Sequence, residues 1–121
     1  MADHNILGEK GEKAARNFLF EKGYEILHFN WRFRKNEIDI ICKNNNFLVV
    51  VEVKTRTNNY FENPKDAVNQ KKQKFIINAT EAYINEFDLD LETRFDVISI
   101  TVVNDKFKIE HIKDAFQPSL L

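Results

Sequence analysis

Residues 36–56 read NEIDIICKNNNFLVVVEVKTR and contain the clearest evidence about the fold of this chain. Two runs of β-branched and other apolar residues flank an Asn-rich turn, and Asn tolerates the positive φ angles that tight hairpins require. The segment is therefore expected to fold as a β-hairpin. Its second strand nevertheless ends with Glu52 and Lys54, and Asp39 interrupts its first strand. Buried strands do not hold unpaired charges, so these residues indicate either an exposed end of the sheet or a site that does chemistry.

The expected hairpin register brings the two acids together. If Asn45 and Asn46 form a two-residue loop, Asp39 stands opposite Glu52 with Cβ atoms about 4.5–5.5 Å apart, and Lys54 shares the face of Glu52. Opposed carboxylates repel each other, so we expect either Lys54 or a divalent cation to compensate them. Two carboxylates, a backbone carbonyl and water suit Mg²⁺ or Mn²⁺, which can activate water and polarise a phosphoryl oxygen. A salt-bridge cluster at a sheet edge, without chemistry, is the competing interpretation.

Hydrophobic periodicity predicts the element order α-β-β-β-α-β-β. The expected elements are a helix at 5–22 that ends at Gly23, strands at 24–33, 37–42 and 47–54, a polar loop at 55–63, a helix from Asn63-Pro64 to about Phe87, strands at 94–102 and 106–112, and a tail that is a short helix or irregular. This order predicts an α/β fold with a central mixed sheet flanked by helices. The length of 121 residues, without repeats or linkers, predicts one domain over 1–121.

Two charged residues stand out against the helical patterns. Glu12 lies at the edge of the apolar face that Ala15 and Phe18 define, so it either reaches the sheet or stays in solvent. Lys72 falls within the apolar stripe of the second helix. It either extends to solvent along that stripe or leans toward an acidic site or a phosphate.

Composition narrows the function further. A net charge of −1 argues against a strongly basic nucleic-acid binder. The segment WRFRK at 31–35 still interleaves aromatic and basic residues, so Arg32 and Arg34 either contact phosphates or simply point outward from a strand. Arg56, just after the charged strand, is a further candidate for phosphate contact. A single cysteine and the lack of long apolar runs predict a cytoplasmic protein that does not interact with membranes.

The spacing of Asp39 and Glu52-Val53-Lys54 resembles the PD-(D/E)XK nuclease motif. More of the chain is similar to one group in that superfamily, the YraN-like family of uncharacterised bacterial proteins. The matching blocks, in order, are GEKGEKAA at 8–15, GYEIL at 23–27, NEIDII at 36–41, VVVEVKTR at 49–56, KDAV at 65–68, RFDVI at 94–98 and IEHIKDAF at 109–116. The first helix also resembles that of archaeal Holliday-junction resolvases.

The resemblance implies a restriction-endonuclease-like αβββαβ core over residues 1–121, a single PD-(D/E)XK nuclease-like domain. It also implies metal binding by Asp39, Glu52 and the backbone carbonyl of Val53. The same two acids, Lys54 as catalytic lysine and Glu12 as the acid of the first helix would form the catalytic set.

The implied function is a Mg²⁺- or Mn²⁺-dependent endonuclease that hydrolyses phosphodiester bonds in branched or single-stranded DNA. The residues expected to contact nucleic acid are Arg32, Arg34, Arg56 and Lys72. A homodimer is compatible with this activity, because resolvase-like proteins cut two strands. Two other classes stay open: a non-catalytic nucleic-acid-binding module with a nuclease-like fold, and a small protein-interaction domain that uses an exposed sheet edge.

Overall fold

A computed structural model describes residues 2–57 and 68–118, with side chains described from Ile6 onward. Two helices and five strands account for most of these residues. They are α1 (Ala2–Glu21), β1 (Glu25–Phe33), β2 (Asn36–Asn44), β3 (Phe47–Thr57), α2 (Gln70–Phe87), β4 (Glu92–Val103) and β5 (Lys106–Phe116). Among the described residues, no helix is both long and apolar enough to cross a membrane.

The five strands form one sheet in the order β1-β2-β3-β4-β5. Strands β3 and β4 are parallel, and the other neighbouring pairs are antiparallel. A parallel pair needs a long crossover, and the connection that contains α2 supplies it. The sheet is therefore mixed and flanked by helices, as predicted, and it is consistent with a restriction-endonuclease-like core.

The two faces of the sheet carry separate cores. The α1-side core consists of Ala15, Leu19, Tyr24, Ile40, Cys42, Val49, Val51, Ile98 and Ile100. The α2-side core consists of Ile38, Ile41, Leu48, Val50, Val68, Ile76, Ala79, Tyr83, Phe95, Val97 and Phe116. Because both faces are covered, β3 is an almost continuous apolar run rather than an alternating one. A charged residue in this strand is therefore conspicuous.

The helix ends follow local sequence signals. Gly23 has a φ of 91°, which glycine adopts without strain. The N–H groups of Gly23 and Tyr24 donate to the carbonyls of Phe20 and Leu19, which completes a Schellman motif and confirms the predicted end of α1. Helix α2 begins at Gln70, and the Asn69 side chain caps it by accepting the N–H of Lys72.

Three boundary predictions are corrected. A helix running unbroken from Asn63-Pro64 is wrong, because Val68 and Asn69 are not helical; the start predicted at Asn63-Pro64 itself lies outside the described residues. Strand β3 continues to Thr57, where a polar loop was expected. Strand β5 continues to Phe116, where an irregular or helical tail was expected. Asp114 takes a positive φ of 55° at a register shift between β4 and β5. Because the shift absorbs this irregularity, the two strands pair again beyond it, at Phe95 and Phe116.

Candidate functional site

The hairpin register places Asp39 where β2 and β3 separate. Pairing follows the predicted two-residue loop from Asn44–Phe47 to Ile40–Val51. Beyond that point, Asp39 Oδ2 accepts the backbone N–H of Val53 at 2.8 Å. Side-chain alternation also breaks here, since Ile38 belongs to the α2-side core while Ile40 belongs to the α1-side core. The Asp39 carboxylate thus takes the place of a strand–strand contact.

Glu52 is held beside Asp39 and is only 4% exposed. Its Oε1 atom lies 3.5 Å from the Asp39 backbone nitrogen. Burial, then the charge of Asp39, raises the pKa of Glu52 to about 8. Burial also raises the pKa of Asp39, although the Val53 N–H and two lysines act in the opposite direction. Two carboxyl groups that lie this close together, with limited access to water, do not both ionise readily. Either one of them keeps its proton or a cation compensates the two negative charges.

Lys54 and Val53 complete the end of β3. Lys54 is partly buried, and its charge lowers the pKa of both Asp39 and Glu52. Both polar backbone groups of a residue in an extended strand point to the same side, so the Val53 carbonyl is directed toward β2 like its N–H. The pairing that would have used this carbonyl has ended at Ile40–Val51.

Helix α1 brings Glu12 to the same end of the sheet. Gly11 is buried against β3, and a Cβ atom there would overlap Thr55 Oγ1 and lie 3.0 Å from Thr55 Cβ. This close approach carries the next residue, Glu12, toward Asp39. Burial and then the Asp39 charge raise the pKa of Glu12, while Arg16 lowers it. Of the two expectations for Glu12, the structure favours the one in which it reaches the site.

Asn30 is a site residue that the sequence did not reveal. Its side chain lies close enough to the Glu12 carboxyl group to lower the pKa of that group, and its φ of 52° is left-handed within strand β1. An isolated Asn in a strand pattern gives no signal of such a contact. The only hint was its polarity among the apolar residues of β1.

Lys72 enters the site from the opposite face, on α2. Its Nζ atom lies 3.8 Å from Glu52 Oε2 and 5.6 Å from the Phe75 ring centroid. Lys72 therefore leans toward the acids rather than only extending to solvent. Lys72 thus forms an ion pair with Glu52.

The three arginines expected to contact nucleic acid lie on different parts of the structure: Arg32 on β1, Arg34 in the turn after it and Arg56 on β3. Arg32 is exposed and pairs with Glu37 at 3.4 Å. Arg34 is exposed, and its guanidinium lies 5.0 Å from the Phe33 ring centroid. Arg56 is partly buried in β3 and is engaged with neighbouring groups. The aromatic residues of 31–35 pack toward the α2-side core, so this segment follows the alternating-strand interpretation.

The site suits a hard divalent cation, because it offers oxygen atoms from both side chains and the backbone. In residues 2–57 and 68–118, no group of three or more His, Cys, Asp or Glu side chains is arranged to hold a metal ion. Asp39, Glu52 and the Val53 carbonyl instead offer two carboxylates and one backbone oxygen. Magnesium sites commonly combine one or two carboxylates with several waters, so this set suits Mg²⁺ or Mn²⁺.

A second buried acid, Asp96, has a different environment. It is fully buried and accepts hydrogen bonds from Arg94 Nε at 3.0 Å, His111 Nε2 at 2.7 Å and the Asp114 N–H at 2.9 Å. Despite burial, these bonds, with that of His111 first, lower the pKa of Asp96. All of its polar atoms have partners, which explains why an acid interrupts β4. It ties β4 to β5, and through Arg94, which donates to the Tyr24 hydroxyl at 2.8 Å, to the turn that follows α1.

Comparison with known proteins places the chain among bacterial relatives of nearly equal length. The family described as "Uncharacterised protein family UPF0102" matches residues 11–100, which include the acids of β2 and β3 and Glu12. A UPF0102 protein of Phocaeicola vulgatus is 48% identical over 120 residues, which is 99% of each chain. One of Flavobacterium psychrophilum is 49% identical over 116 residues, which is 96% of this chain and 98% of the relative. The chain therefore belongs to the uncharacterised protein family UPF0102, in agreement with the YraN-like resemblance of its sequence.

Proposed function

We propose that this chain is a divalent-cation-dependent endonuclease that hydrolyses phosphodiester bonds in DNA, with branched or single-stranded DNA as its substrate. The observation that carries the proposal is the pairing of the buried carboxyl group of Glu52 with the partly buried one of Asp39, beside Lys54 at the splayed end of a hairpin. Two adjacent acids whose pKa values are both raised by burial do not stabilise a fold. Strongly perturbed acids that share a site with a lysine are typical of catalytic centres.

Each residue has a distinct role in this proposal. Mg²⁺ or Mn²⁺ held by Asp39, Glu52 and the Val53 carbonyl would polarise the phosphoryl group and supply a nucleophilic water near neutral pH. Lys54 neutralises negative charge that develops on the phosphoryl oxygens. Burial raises the pKa of Glu12, which favours a role in which this carboxyl group exchanges a proton with a reacting oxygen.

Basic residues around the centre would hold the substrate backbone. Lys72 lies 3.8 Å from Glu52, Arg32 lies on β1, Arg34 lies in the turn between β1 and β2, and Arg56 lies on β3. Phosphate contacts position a nucleic acid without reading its sequence. We therefore propose recognition of DNA shape rather than of base sequence.

The direct test is a cleavage assay with fluorescent four-way-junction and single-stranded DNA, in Mg²⁺, Mn²⁺ or EDTA. We expect the wild type to cut in either metal and not in EDTA. Asp39→Asn keeps an oxygen that can accept the Val53 N–H, and Lys54→Gln keeps most of the side-chain volume; each should lower the rate by about 10²-fold or more. Glu110→Gln, an exposed change on β5, is the control and should cut normally. Absence of cleavage by the wild type, or equal cleavage by Asp39→Asn, contradicts the proposal.

One observation favours a second candidate, a DNA-binding module without catalysis. Lys72 already lies 3.8 Å from Glu52 Oε2, so a protein cation can neutralise this acid without metal. Such a module would bind DNA with strong salt dependence and would cut nothing. Fluorescence anisotropy in EDTA at low and moderate salt, combined with the cleavage assay, separates the two functions.

Two further properties are proposed, the cellular location of the protein and its oligomeric state. We propose a cytoplasmic protein, because its single cysteine, Cys42, is free and buried. We also propose a homodimer on DNA, because a branched substrate presents two equivalent strands for cutting. Light scattering with and without a four-way junction measures the number of copies bound.

A further inference from the structure

A polar cavity lies at the other end of the sheet from the acidic centre. It has a volume of about 340 Å³, within the range of small-molecule sites. Its lining residues come from α1, the turn after it, the β2–β3 hairpin and β5: Phe18, Lys22, Tyr24, Asn44, His111 and Lys113. Asn44 is five residues along β2 from Asp39, which is about 17 Å in a strand. The cavity is thus separate from the proposed catalytic site.

The lining chemistry favours an anion. Lys22 and Lys113 supply two ammonium groups, and Asn44 supplies an amide. Among the described residues that line the cavity, none is acidic. Lysine ammonium groups are compact point charges with three donors each, which suits a phosphate dianion.

The buried Asp96 network shapes the floor of this cavity. Arg94 donates to the Tyr24 hydroxyl oxygen at 2.8 Å, so Tyr24 keeps its own proton for donation elsewhere. His111 is fixed by its 2.7 Å contact with Asp96 and by an edge-on contact with the Phe18 ring, with centroids 6.0 Å apart. The Asp96 charge is compensated by Arg94, whose Nη2 atom lies 2.9 Å from Asp96 Oδ2. The acid beneath the floor therefore does not repel an anion above it as an unpaired carboxylate would.

The dipole of helix α1 opposes anion binding at this cavity, but its effect is reduced because the last carbonyls of the helix are hydrogen-bonded. The carboxyl end of α1 lies beside the cavity, and its dipole favours cations. The carbonyls of Phe18, Leu19 and Phe20 are already accepting N–H groups from residues 22–24. These carbonyls are satisfied, and the described lining of the cavity contributes Lys22 and Lys113 but no acid, so the lining itself keeps a net positive charge.

We infer that this cavity binds a phosphate monoester, either on a free nucleotide or at the 5′ end of a DNA strand. The aromatic edges of Phe18 and Tyr24 provide an apolar wall for the group attached to the phosphate. The site does not depend on the proposed nuclease activity, because none of its residues belongs to the acidic centre. If the endonuclease proposal also holds, the site would anchor a strand end about 17 Å from the point of cutting, five residues along β2.

The test is an NMR titration of the full chain in EDTA, which excludes metal-dependent cleavage. The probes are inorganic phosphate, deoxyadenosine 5′-monophosphate, and an eight-nucleotide DNA strand with either a 5′-phosphate or a 5′-hydroxyl. We expect saturable shifts of the amides of Lys22, Asn44 and Lys113 with at least one phosphorylated probe. Equal affinity for the nucleotide and the phosphorylated strand identifies a free nucleotide as sufficient, whereas tighter binding of the phosphorylated strand identifies a DNA end; either result supports the site.

Matched variants decide whether the lysines form a specific site. The double variant Lys22→Gln, Lys113→Gln should weaken binding by about tenfold or more, since two charge-assisted contacts are lost. The control Lys106→Gln, Lys108→Gln removes the same charge from exposed positions on β5 and should leave affinity unchanged. No saturable shift with any phosphorylated probe, an equal affinity for the 5′-hydroxyl strand, or an equal loss in both double variants overturns the inference. These outcomes are independent of whether the protein cuts DNA.

Discussion

The Val53 backbone N–H donates to Asp39 Oδ2 at 2.8 Å, where the hairpin would otherwise continue its strand pairing. This one bond ends the ladder, fixes the carboxylate between the strands and leaves the Val53 carbonyl on the same side. It also explains how an acid can sit in an apolar strand, because the backbone donor partly offsets the cost of burial. The same bond that anchors Asp39 thus positions it beside Glu52.

Glu52 should reduce stability when it is ionised. Its pKa is raised from 4.5 to about 8, so between these values the folded state binds more protons than the unfolded state. Stability from this group is therefore complete below pH 4.5 and is lost as pH rises toward 8. Glu52→Gln removes this loss, so we expect the variant to be more stable than the wild type at pH 8. The gain should be of the order of 1 kcal/mol or more, since one pKa unit is worth about 1.4 kcal/mol.

Urea unfolding in EDTA at pH 4.5, 6.5 and 8 measures this difference. The two proteins should be similar at pH 4.5 and should diverge as pH rises. Glu110→Gln, which removes an exposed acid from β5, should show no comparable divergence. A Glu52→Gln protein that is less stable than the wild type at pH 8 would show that the carboxylate supports the fold, contrary to its assigned role.

Gly11 should be intolerant of a methyl group because α1 lies against Thr55 there. A Cβ atom at Gly11 would overlap the Thr55 side chain, whereas one at Gly8, in the same helix, meets nothing within 4 Å. We expect Gly11→Ala to destabilise the protein by about 1–3 kcal/mol through overpacking. Gly8→Ala should stabilise it by about 0.5–1 kcal/mol, because alanine is the better helix former.

Thermal unfolding of the two glycine variants and of the double variant Gly11→Ala, Thr55→Ala measures both effects. Removing the Thr55 hydroxyl and methyl should recover part of the loss. Equal stability of Gly11→Ala and Gly8→Ala would mean that α1 does not approach β3 closely enough to deliver Glu12 to the site.

Asp96 should contribute more to stability than either acid of the candidate site. It accepts bonds from Arg94, His111 and the Asp114 backbone, and Arg94 has few alternative partners among the described residues. Asp96→Asn removes the buried charge that pairs with the partly buried Arg94 and presents an amide donor to it, so we expect a loss of about 3–5 kcal/mol. Because the Asp96 pKa is lowered from 3.8, this contribution is present above pH 3.8 and is lost as pH falls through the folded-state value.

Chemical denaturation at pH 7 tests the Asp96 prediction, with Asp105→Asn as control. Asp105 lies in the exposed β4–β5 turn at a φ of 63°, which asparagine also tolerates. A loss below about 1 kcal/mol for Asp96→Asn would contradict the view that this acid organises the fold.

The hairpin and its register were predictable because turn chemistry and strand period act within a few residues. Asn45 and the apolar runs on both sides were sufficient for the pairing that the structure has. The end of α1 was predictable for the same reason, since Gly23 is a local signal. The prediction of an unbroken helix from Asn63-Pro64 failed at Val68 and Asn69, because Asn63-Pro64 carries a strong local capping pattern while Asn69 caps α2.

Contacts between distant segments were not predictable from sequence pattern. The Arg94–Asp96–His111 network joins β4 to β5 through a register shift, and nothing in the local sequence marks that shift. The Asn30–Glu12 contact likewise depends on a left-handed residue within a strand and on the close approach of α1. Such contacts follow from how helices and strands pack, which is set by the whole chain.

The most direct test of the central claim is calorimetric titration of Mn²⁺ into metal-free protein at pH 7.5. We expect one site in the wild type, an affinity lowered by about tenfold or more in Asp39→Asn and in Glu52→Gln, and no change in Glu110→Gln. Binding should also release protons, because the cation replaces the proton that the raised pKa of Glu52 retains. If the wild type binds no Mn²⁺, or if the two site variants bind it as tightly as the wild type, the paired acids are not a metal centre.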